Sequence, residues 1–316
     1  MSTYHEPQEW LQLSIDSILN QTYTNLELII VVDAPDNQRL IKLVKEYEKK
    51  DNRVKVLINN MNRGLVFSLN RALAAATGKY IARMDADDIS ELDRLEKQKK
   101  FIEAFQYDLV GSEIVSINED GQVMAGINSK ALVAMKTVER MLSWYDCIVH
   151  PTWFAKKDLF DTLDGYRNIG CCEDYDFLLR AVNISAKLGN VPEVLLRYRY
   201  NFSGISRQNK VKQRSTAYYI VRNRKHLENI TQKDIDAYFK SPKGIRELQR
   251  LKEYFVLSNK VLTCKTNKKT ISFGLTAIQI LLSNPYGIKS AVEMFYQKIL
   301  LLLDKKSRIQ VQKIIA

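Results

Sequence analysis

Two short acidic runs in this chain sit where a carboxylate can do chemistry. The first is Ala82-Arg83-Met84-Asp85-Ala86-Asp87-Asp88. Side chains alternate faces along extended backbone, so Asp85 and Asp87 project to the same side of a strand end. Two converging carboxylates offer hard oxygen donors suited to Mg²⁺ or Mn²⁺, with coordination positions left for substrate phosphates. A capped, solvated acidic turn has the same composition, and the triplet alone is too short to decide. The second run, Glu173-Asp174-Tyr175-Asp176, opens a predicted helix over Glu173–Ala186. Its carboxylates either answer the helix dipole or accept a proton from an attacking hydroxyl. A third signal is Asn62-Arg63-Gly64, followed by Asn70, where Gly64 supplies permissive backbone at a turn into a helix.

The elements that must position these residues alternate between strand and helix. Apolar spacing predicts a helix over Trp10–Leu19, and Leu26–Val32 is a short apolar run of the kind buried in a sheet. Gln38–Lys49 reads as helix, Val54–Ile58 as strand, Leu65–Ala76 as helix ending near Gly78, and Tyr80–Met84 as strand. This alternation implies an α/β fold with a mostly parallel sheet, whose ligands collect at the carboxyl ends of the strands. Asp33 and Asp85 both stand just past such an end. Further strands are expected at Leu109–Ile117 and Val149–Ala155, with a turn at Asp120-Gly121 after the former.

Composition divides the chain in two. Residues 207–316 carry 23 Lys+Arg against 7 Asp+Glu, a net of +16, while residues 1–206 are slightly acidic at −4. A boundary is expected near Ser203-Gly204, followed by a basic helical region that meets something anionic. Cys147, Cys171, Cys172 and Cys264 form no C-x-x-C pair and read as reduced thiols of a cytosolic protein. The opening residues Ser2–Pro7 lack the order of a signal peptide, and the apolar stretches Ile271–Leu282 and Ile299–Leu303 are too short to span a bilayer.

Taken in order, the blocks Ser14–Tyr23, Leu26–Asn37, Asn62–Asn70, Gly78–Ser90, His150–Phe154 and Glu173–Arg180 resemble the family 2 glycosyltransferases of GT-A fold. The resemblance covers about residues 1–206, and several blocks in sequence are far more specific than any one. It implies an inverting transfer from a nucleotide-sugar, with UDP as the usual nucleotide, onto a hydroxyl of a glycan or lipid-linked acceptor. Asp174 matches the general base, with Glu173 near the acceptor. Asp85 and Asp87 match the motif that holds Mn²⁺ or Mg²⁺ against the donor diphosphate. Asp33 matches the position that reads the base, Thr3 and Tyr4 the segment that touches the nucleoside, and Asn62, Arg63 and Arg83 further donor contacts. His150 lies in a segment that the family places near the acceptor, although a core histidine satisfied by hydrogen bonds fits equally. Surface-polysaccharide synthesis at the cytoplasmic face of a membrane is the biological setting this implies.

The chain departs from the pattern in three places. The apolar strand that normally precedes the Ser2-Thr3-Tyr4 segment is expected to be missing, with a misplaced start or a truncated product as the explanation. One acid of the usual pair is replaced in Val32-Asp33, which loosens uracil as the base. Arg180-Ala181-Val182 does not supply the Gln-x-x-Arg-Trp signature of processive synthases, so single transfers are expected. A sugar nucleotidyltransferase is disfavoured because Ser2–Pro7 holds no Gly-rich loop for a triphosphate. An inactive scaffold with a basic binding tail remains open, although that tail carries no motif that reads nucleic acid. Its helices, with Lys298, Lys305, Lys306 and Arg308 beside apolar patches, suit either an anionic leaflet or packing on the catalytic domain.

Overall fold

A computed structural model describes residues 1–128, 131–201, 209–266 and 284–315. The boundary at Ser203-Gly204 and the apolar stretch Ile271–Leu282 lie outside the described residues. The chain runs β1 (Ser2–Thr3), α1 (Gln8–Leu19), β2 (Leu28–Val32), α2 (Gln38–Lys50), β3 (Val54–Ile58), α3 (Leu65–Ala75) and β4 (Tyr80–Ala82). It continues through β5 (Ile89–Ser90), α4 (Arg94–Ala104), β6 (Leu109–Ile117), β7 (Val123–Asn128), α5 (Met135–Leu142), β8 (Phe154–Lys156) and α6 (Lys157–Thr162). Then come α7 (Glu173–Asn183), β9 (Leu188–Arg199), α8 (Lys210–Arg222), α9 (Gln232–Lys240), α10 (Pro242–Thr266) and α11 (Pro285–Ile315).

The sheet is built in two parts. Strands β1, β2 and β3 are parallel, as the strand–helix alternation requires. The second part runs β4-β8-β6-β9-β5, with β7 on β6. Here β6 and β9 are parallel while β4–β8, β6–β8 and β5–β9 are antiparallel. The two parts meet where Ser2 bridges Asp85, at the acidic run itself.

The Ser2-Thr3 segment itself forms the two-residue β1, paired to Val31 and Val32 on one side and bridged to Asp85 on the other. Met1 adds its side chain to the core with Leu28, Ile30 and Met84, and its amine donates to the Ile29 carbonyl at 2.9 Å. The strand expected over Val149–Ala155 begins only at Phe154, because His150–Thr152 coils into a 3₁₀ turn with Pro151, which lacks a ladder donor.

The largest core cluster gathers Trp153, Phe160, Tyr166 and Phe177, and it does not stop at residue 206. Ile220 of α8, Leu227, Ile230, Ile235 of α9 and Leu300 of α11 bury themselves in the same cluster. The basic region therefore packs on the α/β layer. Asp304 of α11 accepts from the Val133 and Ala134 amides at 2.7 and 2.9 Å and from Thr137 Oγ1 at 2.8 Å, capping the start of α5 from another element.

Candidate active site

The acidic run is fixed from behind by three buried polar side chains. Ser14 of α1 donates to the Asp85 carbonyl at 2.7 Å, and Arg94 of α4 donates to the Arg83 carbonyl at 2.8 Å. Arg199, at the end of β9, donates through Nε to the Asp87 carbonyl and through its amide to Asp88 Oδ1, both at 2.8 Å. Arg94 is fully buried, and burial pulls its guanidinium down to about 9. A charge kept in such a place is explained by what it holds: backbone that leaves the sheet has carbonyls no strand partner satisfies.

With the backbone tied down, the carboxylates of the run feel one another's charge. Asp85 and Asp87 are half-buried and Asp88 is buried, with Oδ2 lacking a hydrogen-bond partner. Burial, then the charges of Asp85 and Glu6, push the Asp87 carboxyl up to about 7. Glu6 was not anticipated from sequence. Its Oε2 accepts from Thr3 Oγ1 at 2.6 Å and from the Tyr4 amide at 2.8 Å, bringing a further acid toward the site.

Arg83 is the cation among these acids. It is buried and pairs with Asp85 Oδ1 at 2.6 Å, yet its Nε and Nη1 have no hydrogen-bond partner. A buried guanidinium with two idle donors is costly unless an acceptor arrives.

From the other side comes the first turn of α7, whose four-residue acidic run divides by role. Asp176 is wholly buried and forms ion pairs with Arg167 and, at 2.9 Å, with Arg180, so it belongs to the scaffold. Glu173 and Asp174 instead feel the charges of Arg83 and Asp85. Burial and the neighbouring Asp174 raise Glu173 to about 7. Burial also raises Asp174, against the pull of the Tyr175 amide, which it accepts at 2.7 Å, and of Arg83. Asp146, another residue missed in sequence, is pushed well above the usual range by burial and then by Asp174.

His150 and Tyr166 pair beside the same charges. His150 Nε2 lies 2.9 Å from the Tyr166 hydroxyl, and its ring meets Trp153 edge-on at 4.6 Å. Burial, then the Arg83 charge, hold the imidazole well below its usual range and hence neutral. Tyr166 in turn feels Arg83, Asp174, Glu173 and Asp85. Its backbone is clamped by Asn70, which donates to its carbonyl and accepts from its amide, both at 2.8 Å. The loop enters through Asp164 and Gly165, both at positive φ.

The remaining expected residues line a separate stretch along β1, β2 and the turn before α3. Asp33 is buried, accepting from Asn59 Nδ2 at 2.6 Å and from the Arg63 and Gly64 amides at 2.8 Å each. Those bonds make it the anchor of the Asn62-Arg63-Gly64 turn. Asn62 Oδ1 also receives the Gly64 amide, while exposed Arg63 lies over the Phe67 ring at 4.3 Å. Thr3 is buried, and Tyr4 is exposed against His5.

The donor set fits a divalent cation. Asp85 and Asp87 offer hard carboxylate oxygens on one fixed turn, and Asp85 is ion-paired to Arg83. Among the described residues no group of three His, Cys, Asp or Glu forms a closed site, so other ligands must come from substrate and water.

Known proteins share this architecture. The family model for glycosyl transferase family 2 matches residues 1–163. An uncharacterized glycosyltransferase of Methanocaldococcus jannaschii is 34% identical over 234 residues, 72% of this chain and 80% of the relative. The O-antigen biosynthesis glycosyltransferase WbnJ of Escherichia coli is 37% identical over 218 residues, 68% of this chain and 82% of the relative. Among solved structures, residues 1–349 of S. aureus TarS in complex with UDP-GlcNAc superpose with a TM-score of 0.58 at 14% identity, covering 89% of this chain and 90% of that one. The mannosyltransferase PcManGT of Pyrobaculum calidifontis, in complex with GDP-Man and Mn²⁺, gives 0.53 at 15% identity over 99% of this chain and 83% of that one. With the GT-A fold in place and more than half its length matched by the family model, the chain belongs to glycosyl transferase family 2.

Proposed function

We propose that this chain transfers a sugar from a nucleotide-diphosphate donor, a UDP-sugar in the first instance, to a hydroxyl of a glycan or lipid-linked acceptor with inversion. The observation that carries this reading is electrostatic: Asp85 and Arg83 on one turn and Glu173 and Asp174 on a helix of another layer sense each other's charge. Residues 1–206 form the catalytic unit and residues 207–316 its basic helical extension. Surface-polysaccharide synthesis is the setting, in line with the O-antigen relative.

In the proposed step the acceptor oxygen attacks the anomeric carbon as the bond to the diphosphate oxygen breaks on the opposite face. Asp174 takes the hydroxyl proton, and burial, by raising its proton affinity, suits it to that work. Arg83 offers its idle Nε and Nη1 to the departing diphosphate. Asp85 and Asp87 would hold a divalent ion, which would supply charge neutralisation for that leaving group. Glu173 and the neutral His150–Tyr166 pair shape the acceptor side. Thr3 and Tyr4 flank the nucleoside, while Asp33, with Asn62 and Arg63, fixes the turn that the base meets.

A thermal-shift series with UDP-, GDP- and dTDP-sugars tests the reading. A UDP-sugar with Mn²⁺ raises the melting temperature, and Asp87→Asn abolishes the metal-dependent part. Stabilisation by none of the three, or pyrophosphate release from a nucleoside triphosphate and a sugar phosphate, contradicts it.

A further inference from the structure

The last helix is amphipathic with its faces reversed from the usual order. Both of its acids, Glu293 and Asp304, point inward and are buried. Glu293 pairs with Arg214 of α8, Asp304 caps α5, and with Leu300 and Val311 they mark the packed side. Two anchored carboxylates eleven residues apart lock the rotation of the helix. The opposite side is apolar and faces outward: Ile288, Val292, Phe295, Ile299, Leu302 and Ile309 follow one another at intervals of four and three, except that Lys306 stands between the last two. Phe295 is 67% and Leu302 75% exposed. The stripe runs about 30 Å along the helix at 1.5 Å per residue. Lys298 and Lys305, four residues before and three after Leu302, are exposed beside it, and no acid interrupts it.

We propose that this outward face of α11 lies flat on an anionic lipid leaflet. The charge argues for that occupant. Residues 207–316 carry a net +16, the face itself is cationic, and lysine stems can lie along apolar surface while their ammonium groups reach lipid phosphates. A second copy of the chain is a poorer match, since a two-fold pairing of this face sets lysine stripe against lysine stripe. No helix among the described residues is long and apolar enough to cross a membrane, so contact is with the surface. Failure of this proposal leaves the assignment of glycosyl transfer untouched, because none of the residues of the face belongs to the active site.

The test is co-sedimentation of the full chain with vesicles of phosphatidylcholine alone or mixed with phosphatidylglycerol. The chain pellets with the anionic vesicles, in a salt-sensitive manner, and not with the neutral ones. Phe295→Ser with Leu302→Ser lowers the partition at least ten-fold, and Lys305→Glu with Lys306→Glu lowers it by more than ten-fold as well. Circular dichroism and the melting temperature stay unchanged in both, since these side chains are exposed. Equal pelleting with neutral vesicles, unchanged binding by either variant, or a wild-type dimer in sedimentation velocity that Phe295→Ser with Leu302→Ser dissolves would each overturn the proposal.

Discussion

Burial raises the proton affinity of the two carboxyls that open α7, with consequences for both rate and stability. Activity falls on acidification, because Asp174 must be ionised to accept a proton, and burial moves that fall above the ordinary carboxylate range; a pH–rate profile of transfer checks this. For stability the sign is opposite. Folded Glu173 holds its proton to about 7, above its ordinary value, so stability is greatest when the group is protonated and declines as pH rises through about 7. Glu173→Gln is therefore expected to gain about 2–3 kcal/mol at about pH 8 and almost nothing at about pH 4, measured by denaturant titration. Arg83→Ala removes the idle donors and breaks the ion pair with Asp85, and transfer should drop by roughly 10²-fold or more with weaker donor binding. Arg83→Ala activity within a few-fold of the parent would contradict that role. At this scale the sequence was informative about residue type and blind to partners. Asp85, Asp87 and Asp174 stood out as acids in short motifs. That Asp33 is enclosed by three donors, that Asp176 is an ion-pair residue, and that Glu6, Asp146 and Tyr166 join the site all depend on contacts between distant segments.

Among the elements, the loop before α7 is the most sharply constrained. Gly165 takes φ of +64°, and a Cβ there would stand 2.5 Å from Asn70 Oδ1. Gly165→Ala is expected to cost about 2 kcal/mol or more, from left-handed strain plus the loss of the Asn70 clamp, and to lower the rate by displacing Tyr166. An unchanged melting temperature would show that the clamp is dispensable. Elements with clean periodicity were legible: Val54–Ile58 and Leu109–Ile117 begin and end where the pattern does. Strand β9 was not, because Pro192, Glu193, Arg197 and Arg199 interrupt its apolar run, although it pairs with β6 along most of its length. Helix α4 was hidden for a similar reason. Its buried side includes Arg94 and Gln98, which pack inward to serve backbone carbonyls.

Across the whole molecule, the acidic turn rests at the junction of the two sheet parts, while α7 belongs to the aromatic cluster that also anchors the C-terminal helices. The α/β class and the basic character of the last third could be read from alternation and charge. The antiparallel strands of the second part and the shared core could not, since neither leaves a local pattern. The account stands or falls on these two layers making one site. The most direct measurement is transfer by Asp174→Asn alongside donor binding by the same variant, with Mn²⁺ present. A loss of roughly 10³-fold or more in transfer with the affinity for the UDP-sugar preserved is the predicted result. Transfer within a few-fold of the parent chain would contradict it.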